Sequence, residues 1–261
     1  MSTVYWTPHL NSFIPDPIHP LYNNIKGLLL LQQELEPFLK YFVEVRGKDD
    51  SFITCPAFLE FNKNMFVLRS PVDLTVTMIN NKPVFESSQK IVQDAFHLSH
   101  INRAKEQPPG ALPLLSLIPS YLMYSTDDVV IELHELYFPK PNKNFNLVPG
   151  SFNIGKWIRP LDWTFEIIDP SKPVIIKQGD PLVQVRFITK DGSKVNFERV
   201  NEDEDILTMF RACVTVKHFN PKLTLESAYK LGESFIGWFH KKHHPPQNKS
   251  KCPFKKIFKK D

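Results

Sequence analysis

Glycine is scarce: nine in 261 residues, about half the ~7% of an average chain. No G-x-S-x-G, P-loop or dinucleotide-binding glycine signature occurs. The motifs of α/β-hydrolases, P-loop nucleotidases and Rossmann oxidoreductases are therefore absent. Cysteine is rarer still. Cys55, Cys213 and Cys252 lie far apart, are odd in number and form no C-x-x-C pair, the usage of a reducing compartment rather than a disulfide scaffold. Long apolar runs are missing too: Leu28–Leu31 is far short of the ~20 residues that cross a bilayer. Met1–Thr7 carries no basic segment leading into an apolar stretch, so no secretory signal is expected. These absences predict a soluble, cytoplasmic protein with no transmembrane segment.

What is present points to a packed fold. Hydrophobic residues make up 42% of the chain, and a chain of this length buries roughly 70–75% of its unfolded surface. Aromatics at 12% and charges at 23% exclude disorder and coiled coil. The 23 prolines outnumber the glycines. Proline fixes φ and removes a donor, which favours strands, turns and rigid connections over long helices. The net charge of +4 is unevenly spread: residues 240–261 hold eight lysines and one acid, which leaves the preceding 239 residues at −3. A basic body would argue for nucleic acid across the main surface; here the positive charge belongs to one end.

Along the chain, residues 1–41 read as a proline- and aromatic-rich arm followed by a short helix. Pro8, Pro15, Pro17 and Pro20 stand among Tyr5, Trp6, Phe13 and Tyr22, the pattern of an extended arm laid over a body; Asn24–Glu36 reads as helix, ended by Pro37. Residues 42–200 form the expected β-rich core domain. FVEVRG, ITCPAFLEF, MFVLRS and VDLTVTMI are β-branched and aromatic, and turn signals separate them. Leu114–Tyr124, Val129–Leu136, Trp163–Ile168, Val174–Ile176 and Leu182–Thr189 continue the pattern. Residues 201–240 carry acids at 202–205, suited to a helix N-terminus, and then a helix capped by Thr224. Residues 241–261 form a lysine-rich tail. The expected class is mainly β, a β-sandwich or β-clip-like barrel with a few peripheral helices.

The most informative segment is Val148–Lys190. Pro149-Gly150 is a turn into Phe152 and Ile154, and 177–181 is a turn joining two strands. Gly179, Asp180, Leu182, Gln184 and Val185, with Gly150 upstream, resemble the closing turn and strand of the dUTPase-like β-clip fold. The resemblance implies a nucleotide pocket, but the chain departs from the family's pattern. Asn153 stands where the resemblance implies a carboxylate, and an amide is no general base near neutral pH. Trp157 falls one residue beyond the implied tyrosine, Tyr124-Ser125 stands for Arg-Ser, and the glycine-rich closing tail is lacking. The longer stretch Leu117–Lys190 resembles an uncharacterised group of tailed-phage and bacterial proteins. It shares with them P-G-x-F-x-I-G-K-W-x-R-P and G-D-P-L-x-x-V-R-F elements, together with an upstream Cys55-Pro56. That resemblance implies a β-rich fold and a phage-like source, without an activity.

Other constellations read as structural. His97-x-x-His100 has helical spacing but no third ligand, and His134-Glu135 belongs to no metal motif. Neither a metal site nor a cofactor is expected. Cys55, between Thr54 and Pro56 in an apolar run, reads as a core thiol rather than a nucleophile. No catalytic set is assigned. The candidate ligand residues are Asn153, Lys156, Trp157 and Arg159, with Asp180 on a facing turn. Arg159 between Trp157 and Trp163 fits either a cation–π shelf or a core pair of indoles with a salt-bridged arginine. In the tail, Phe254, Ile257 and Phe258 recur at helical spacing among Lys255, Lys256, Lys259 and Lys260. The segment suits either a basic amphipathic helix docking on an acidic surface or nucleic acid, or a flexible terminus. The functional expectation is a phage-type protein that acts by binding. A degenerate dUTPase-like enzyme and a structural virion component stand as alternatives, and assembly into a homo-oligomer stays open.

Overall fold

The computed structural model describes residues 1–8, 35–70, 73–80, 82–87, 112–117, 121–138, 143–160, 163–201, 204–219 and 224–244. The first strands are β1 (Ser2–Pro8), β2 (Glu36–Pro37), β3 (Met65–Arg69), β4 (Leu74–Ile79) and β5 (Lys82–Glu86). Next come β6 (Leu114–Leu117), β7 (Tyr121–Ser125), β8 (Val129–His134), β9 (Phe145–Leu147) and β10 (Gly150–Asn153). The last are β11 (Arg159–Pro160), β12 (Trp163–Ile167), β13 (Val174–Ile176), β14 (Pro181–Thr189) and β15 (Val195–Arg199). The helices are α1 (Phe38–Arg46), α2 (Pro56–Phe61), α3 (Glu204–Phe219) and α4 (Leu225–His243), with one 3-10 turn at Ser51–Thr54.

The fold is mainly β and sandwich-like, and among the described residues no sheet closes into a barrel. The described strands form four sheets, in the orders β11-β7-β1-β15, β10-β8-β14-β3-β2, β6-β12-β9 and β13-β4-β5. One core draws on all four through residues such as Val4, Leu68, Val76, Ile131, Phe165 and Phe187. Alternation along strands such as β8 and β12 supplies much of that inward face. In β8, Val129, Ile131 and Leu133 are buried while the residues between them are not, the period of two that any strand imposes on its side chains. The outer face of the first sheet presents Leu122 and Tyr124 to Ile206, Met209, Ile236 and Phe239 of α3 and α4. The outer face of the second presents Met65 and Val67 to Phe38, Tyr41 and Phe42 of α1.

The readings of several segments change here. FVEVRG and ITCPAFLEF, read as strands, are α1, the 3-10 turn and α2. Phe38, Tyr41 and Phe42 sit at i, i+3, i+4 and are all buried, so the helical period outweighed the β-branched composition. Pro37 starts this helix rather than ending one, and Pro56 occupies the first turn of α2, where its fixed φ suits a helix and its missing N–H costs nothing. Cys55 is accordingly a half-buried N-cap rather than a strand-core thiol. The N-terminal arm, for its part, begins as a strand inside a sheet: β1 runs parallel to β15 and antiparallel to β7. The arm beyond residue 8, most of the Asn24–Glu36 helix, His97, His100 and the tail from residue 245 lie outside the described residues.

Arg69 ties three elements together. Its guanidinium donates to Glu36 (2.7 Å), Glu44 of α1 (2.5 Å) and the carbonyl of Gly179 (3.0 Å), and it lies over the Tyr41 ring. Arg69→Met should cost about 2 kcal/mol by leaving carboxylates and a carbonyl unpaired. Urea unfolding reads the loss; an unshifted midpoint would mean the hub is only a solvent-screened surface pair.

Candidate functional site

The segment 153–159 is positioned by a tight turn after β10. Asn153 is buried, and all of its polar groups are used. Its backbone N–H donates to Tyr229 Oη (2.7 Å), its Oδ1 accepts from the Gly155 N–H (2.9 Å) and its Nδ2 donates to Asp128. Ile154 is zipped to the facing loop on both sides, donating to Val129 and accepting from Ser125. Gly155 packs so closely that a Cβ there would lie 2.1 Å from the Asp127 carbonyl oxygen. Lys156 is exposed, whereas Trp157 is buried against Cys213 and Tyr229. The backbone of Arg159 pairs with Met123 in β11. Trp163 belongs to the main core, a separate cluster from Trp157, so the two indoles do not form the faces of one open shelf.

Asp180 is not part of this neighbourhood. Asn153 pairs with Val130, and Val130 with Ile188 near the far end of β14; at about 3.3 Å per residue, Asp180 is roughly 25 Å away along that strand. Its carboxylate accepts from the Lys177 N–H (2.8 Å) and its carbonyl from the Ser70 N–H (2.7 Å). Together they fix the turn in which Gly179 takes φ +84°. The structure thus joins Asn153, Lys156 and Trp157 in one turn, starts β11 at Arg159, and puts Asp180 at the other end of the sheet.

A second group of polar side chains gathers where α4 ends against the first sheet. The helix outlasts its expected boundary at His240 and runs to His243, which places His240, Lys241, Lys242 and His243 in its last turn. Cations there complement the negative end of the helix dipole. Phe239 is fully buried and meets the Tyr124 ring edge-on at 5.2 Å. His243 stacks on Phe239 at 4.6 Å and pairs with Asp205 of α3 at 2.7 Å, and Lys242 reaches the same carboxylate. His244 closes the cluster. Its ring lies 4.2 Å from Tyr5 and shares a 3.1 Å hydrogen bond with Tyr124 Oη, and Tyr5 and Tyr124 are themselves stacked. Two strands far apart in sequence therefore grip the residue at which the lysine-rich segment begins.

Burial lowers the pKa of His240, aided by His244 and opposed by Asp127. Burial likewise lowers that of His244, aided by His243 and opposed by Glu198. The Asp205 carboxyl is held low by hydrogen bonds from Lys242 and then His243, so it stays charged through the histidine range. A histidine whose folded pKa is depressed contributes stability that is whole above its unfolded value of about 6.5 and is lost as pH falls through the folded one. Urea unfolding at about pH 7.5 and about pH 5.5 should therefore show lower stability in acid, with the difference reduced in the double variant His240→Asn, His244→Gln. An equal acid loss in that variant would assign the effect elsewhere.

Tyr5, Tyr124, Asp205, His243 and His244 were invisible as a group in the sequence. The available signal was the i, i+4 recurrence of Phe235, Phe239 and His243, which carries the helix past the first lysines. No protein-family model matches the chain, and no curated protein matches it.

Proposed function

We propose that this is a phage-type binding protein whose basic C-terminal end docks on the phosphate backbone of nucleic acid. The observation that carries the reading is the segregation of charge: eight lysines against one acid from residue 240 onward, on a body of net charge −3. The anchoring of His243 and His244 on Asp205, Tyr5 and Tyr124 supports it, because it gives the lysine-rich segment a fixed point of departure. Lysines that neutralise phosphates give affinity without sequence readout, through release of counterions. The motif resemblance of 149–160 and 179–187 is what supports a phage-like origin.

The side chain of Asn153 is engaged by Gly155 of its own turn and by Asp128 of the facing loop, and Asp180 within another turn. The binding reading therefore assigns both to architecture rather than to a nucleotide pocket. The test is the full chain with Lys249, Lys251, Lys255, Lys256, Lys259 and Lys260 changed to glutamine. Retention of oligonucleotide at about 50 mM salt should fall at least ~100-fold with folding unchanged. Retention equal to that of the natural chain would dismiss the role of the basic end.

A further inference from the structure

We propose that Trp238 is a base-stacking residue, which makes single-stranded rather than duplex nucleic acid the preferred partner of this face; the inference rests on the nucleic-acid reading above. The indole is 50% exposed, while Trp157 and Trp163 are at most 5% exposed. Two neighbours on the same helix, Ile236 and Phe239, are buried, so α4 turns its inner side to the sheet and leaves this ring to solvent. Space beside it is open: a Cβ built on the adjacent Gly237 meets no atom within 4 Å. Lys241 and Lys242 follow at i+3 and i+4, both exposed, with the Lys242 ammonium 5.2 Å from the ring centroid. Asp205 holds Lys242 and His243, whereas Lys241 has no carboxylate within 4.0 Å among the described residues.

A flat ring flanked by ammonium groups, at the point where a lysine-rich segment starts, matches the two components of a single strand: a base to stack and phosphates on either side. A lipid surface fits less well. Of the α4 side chains whose burial is described, Trp238 alone is large, apolar and exposed, and interfacial helices need an apolar stripe. Duplex DNA fits less well also, because its bases are already stacked and inserting a ring between them requires unstacking a step.

The experiment measures the affinity of the full chain and of its Trp238→Ala and Trp238→Phe variants. The ligands are an oligothymidylate, a blunt duplex of equal length and vesicles containing anionic lipid. Trp238→Ala should weaken binding of the single strand about 5- to 100-fold, with Trp238→Phe restoring most of it. Duplex affinity and the salt dependence of both should stay unchanged. An equal loss on duplex, no loss on the single strand, or a loss confined to vesicles overturns the stacking role and leaves the phosphate-binding role standing. If the natural chain binds neither oligonucleotide, the nucleic-acid reading itself fails and the stacking role with it.

Discussion

Gly155→Ala is expected to destabilise the fold by roughly 3 kcal/mol or more, the upper range for forcing atoms into a packed site. The new Cβ would lie 2.1 Å from the Asp127 carbonyl oxygen and 3.2 Å from Asn153 Oδ1. Both obstacles are held in place. The Ile154 carbonyl accepts from Ser125, whose hydroxyl donates to the Thr3 carbonyl in β1 and accepts from the Asp127 N–H. Asn153 is tied to Tyr229 of α4. Relieving the clash therefore separates the turn from its facing loop and disturbs the seat of α4. Gly150 is the control: a Cβ there meets nothing within 4 Å, so Gly150→Ala should stay within about 0.5 kcal/mol of the natural chain. Denaturant midpoints that shift equally for the two variants would contradict the packing described for the 153–156 turn.

The second large effect belongs to Phe239. It is fully buried among Leu122, Tyr124, Ile158, Ile206, Met209 and Ile236, and it carries the His243 ring on one face. Phe239→Ala should cost about 3–4 kcal/mol in transfer and cavity terms. It should also free the end of α4, raising hydrogen exchange at 240–244 well above that at 226–230. The milder Phe239→Leu keeps most of the volume and should cost under ~1.5 kcal/mol. A Phe239→Ala loss below ~1 kcal/mol would mean that the helix end is not seated on Tyr124.

Where local chemistry alone decides structure, the sequence was legible. β8, β12 and β14 announce themselves through β-branched and aromatic alternation. The turn with Gly179 was visible from Lys177-Gln178-Gly179-Asp180-Pro181, and Thr224 caps α4 as its type suggests, accepting from the Ser227 N–H. What failed depended on partners distant in the chain. Nothing within Ser2–Pro8 reveals that β1 lies between β7 and β15, since the pairing is set by strands well over a hundred residues away. In α1, Val43 and Val45 favour a strand by composition, but burial of Phe38, Tyr41 and Phe42 on one face selects the helix. The candidate site divides in the same way. Asn153, Lys156 and Trp157 are neighbours because they share one turn, while the distance to Asp180 follows from the register of β14 on β8, which sequence does not display. Gln184 makes the same point. Matched to a family motif by type, it is a fully buried core residue that accepts from the Tyr137 N–H and donates to Met65 Sδ.

The most direct test of the central claim is the slope of log affinity against log salt for the full chain on single-stranded DNA. Six lysines follow residue 244; if each releases a condensed counterion from a single strand, they contribute about −4 to the slope, and with the six changed to glutamine only the share of Lys241 and Lys242, about −1, remains. A steep slope that collapses in this way is the predicted result. A slope near zero in the natural chain, or one that the substitutions leave intact, would contradict the account.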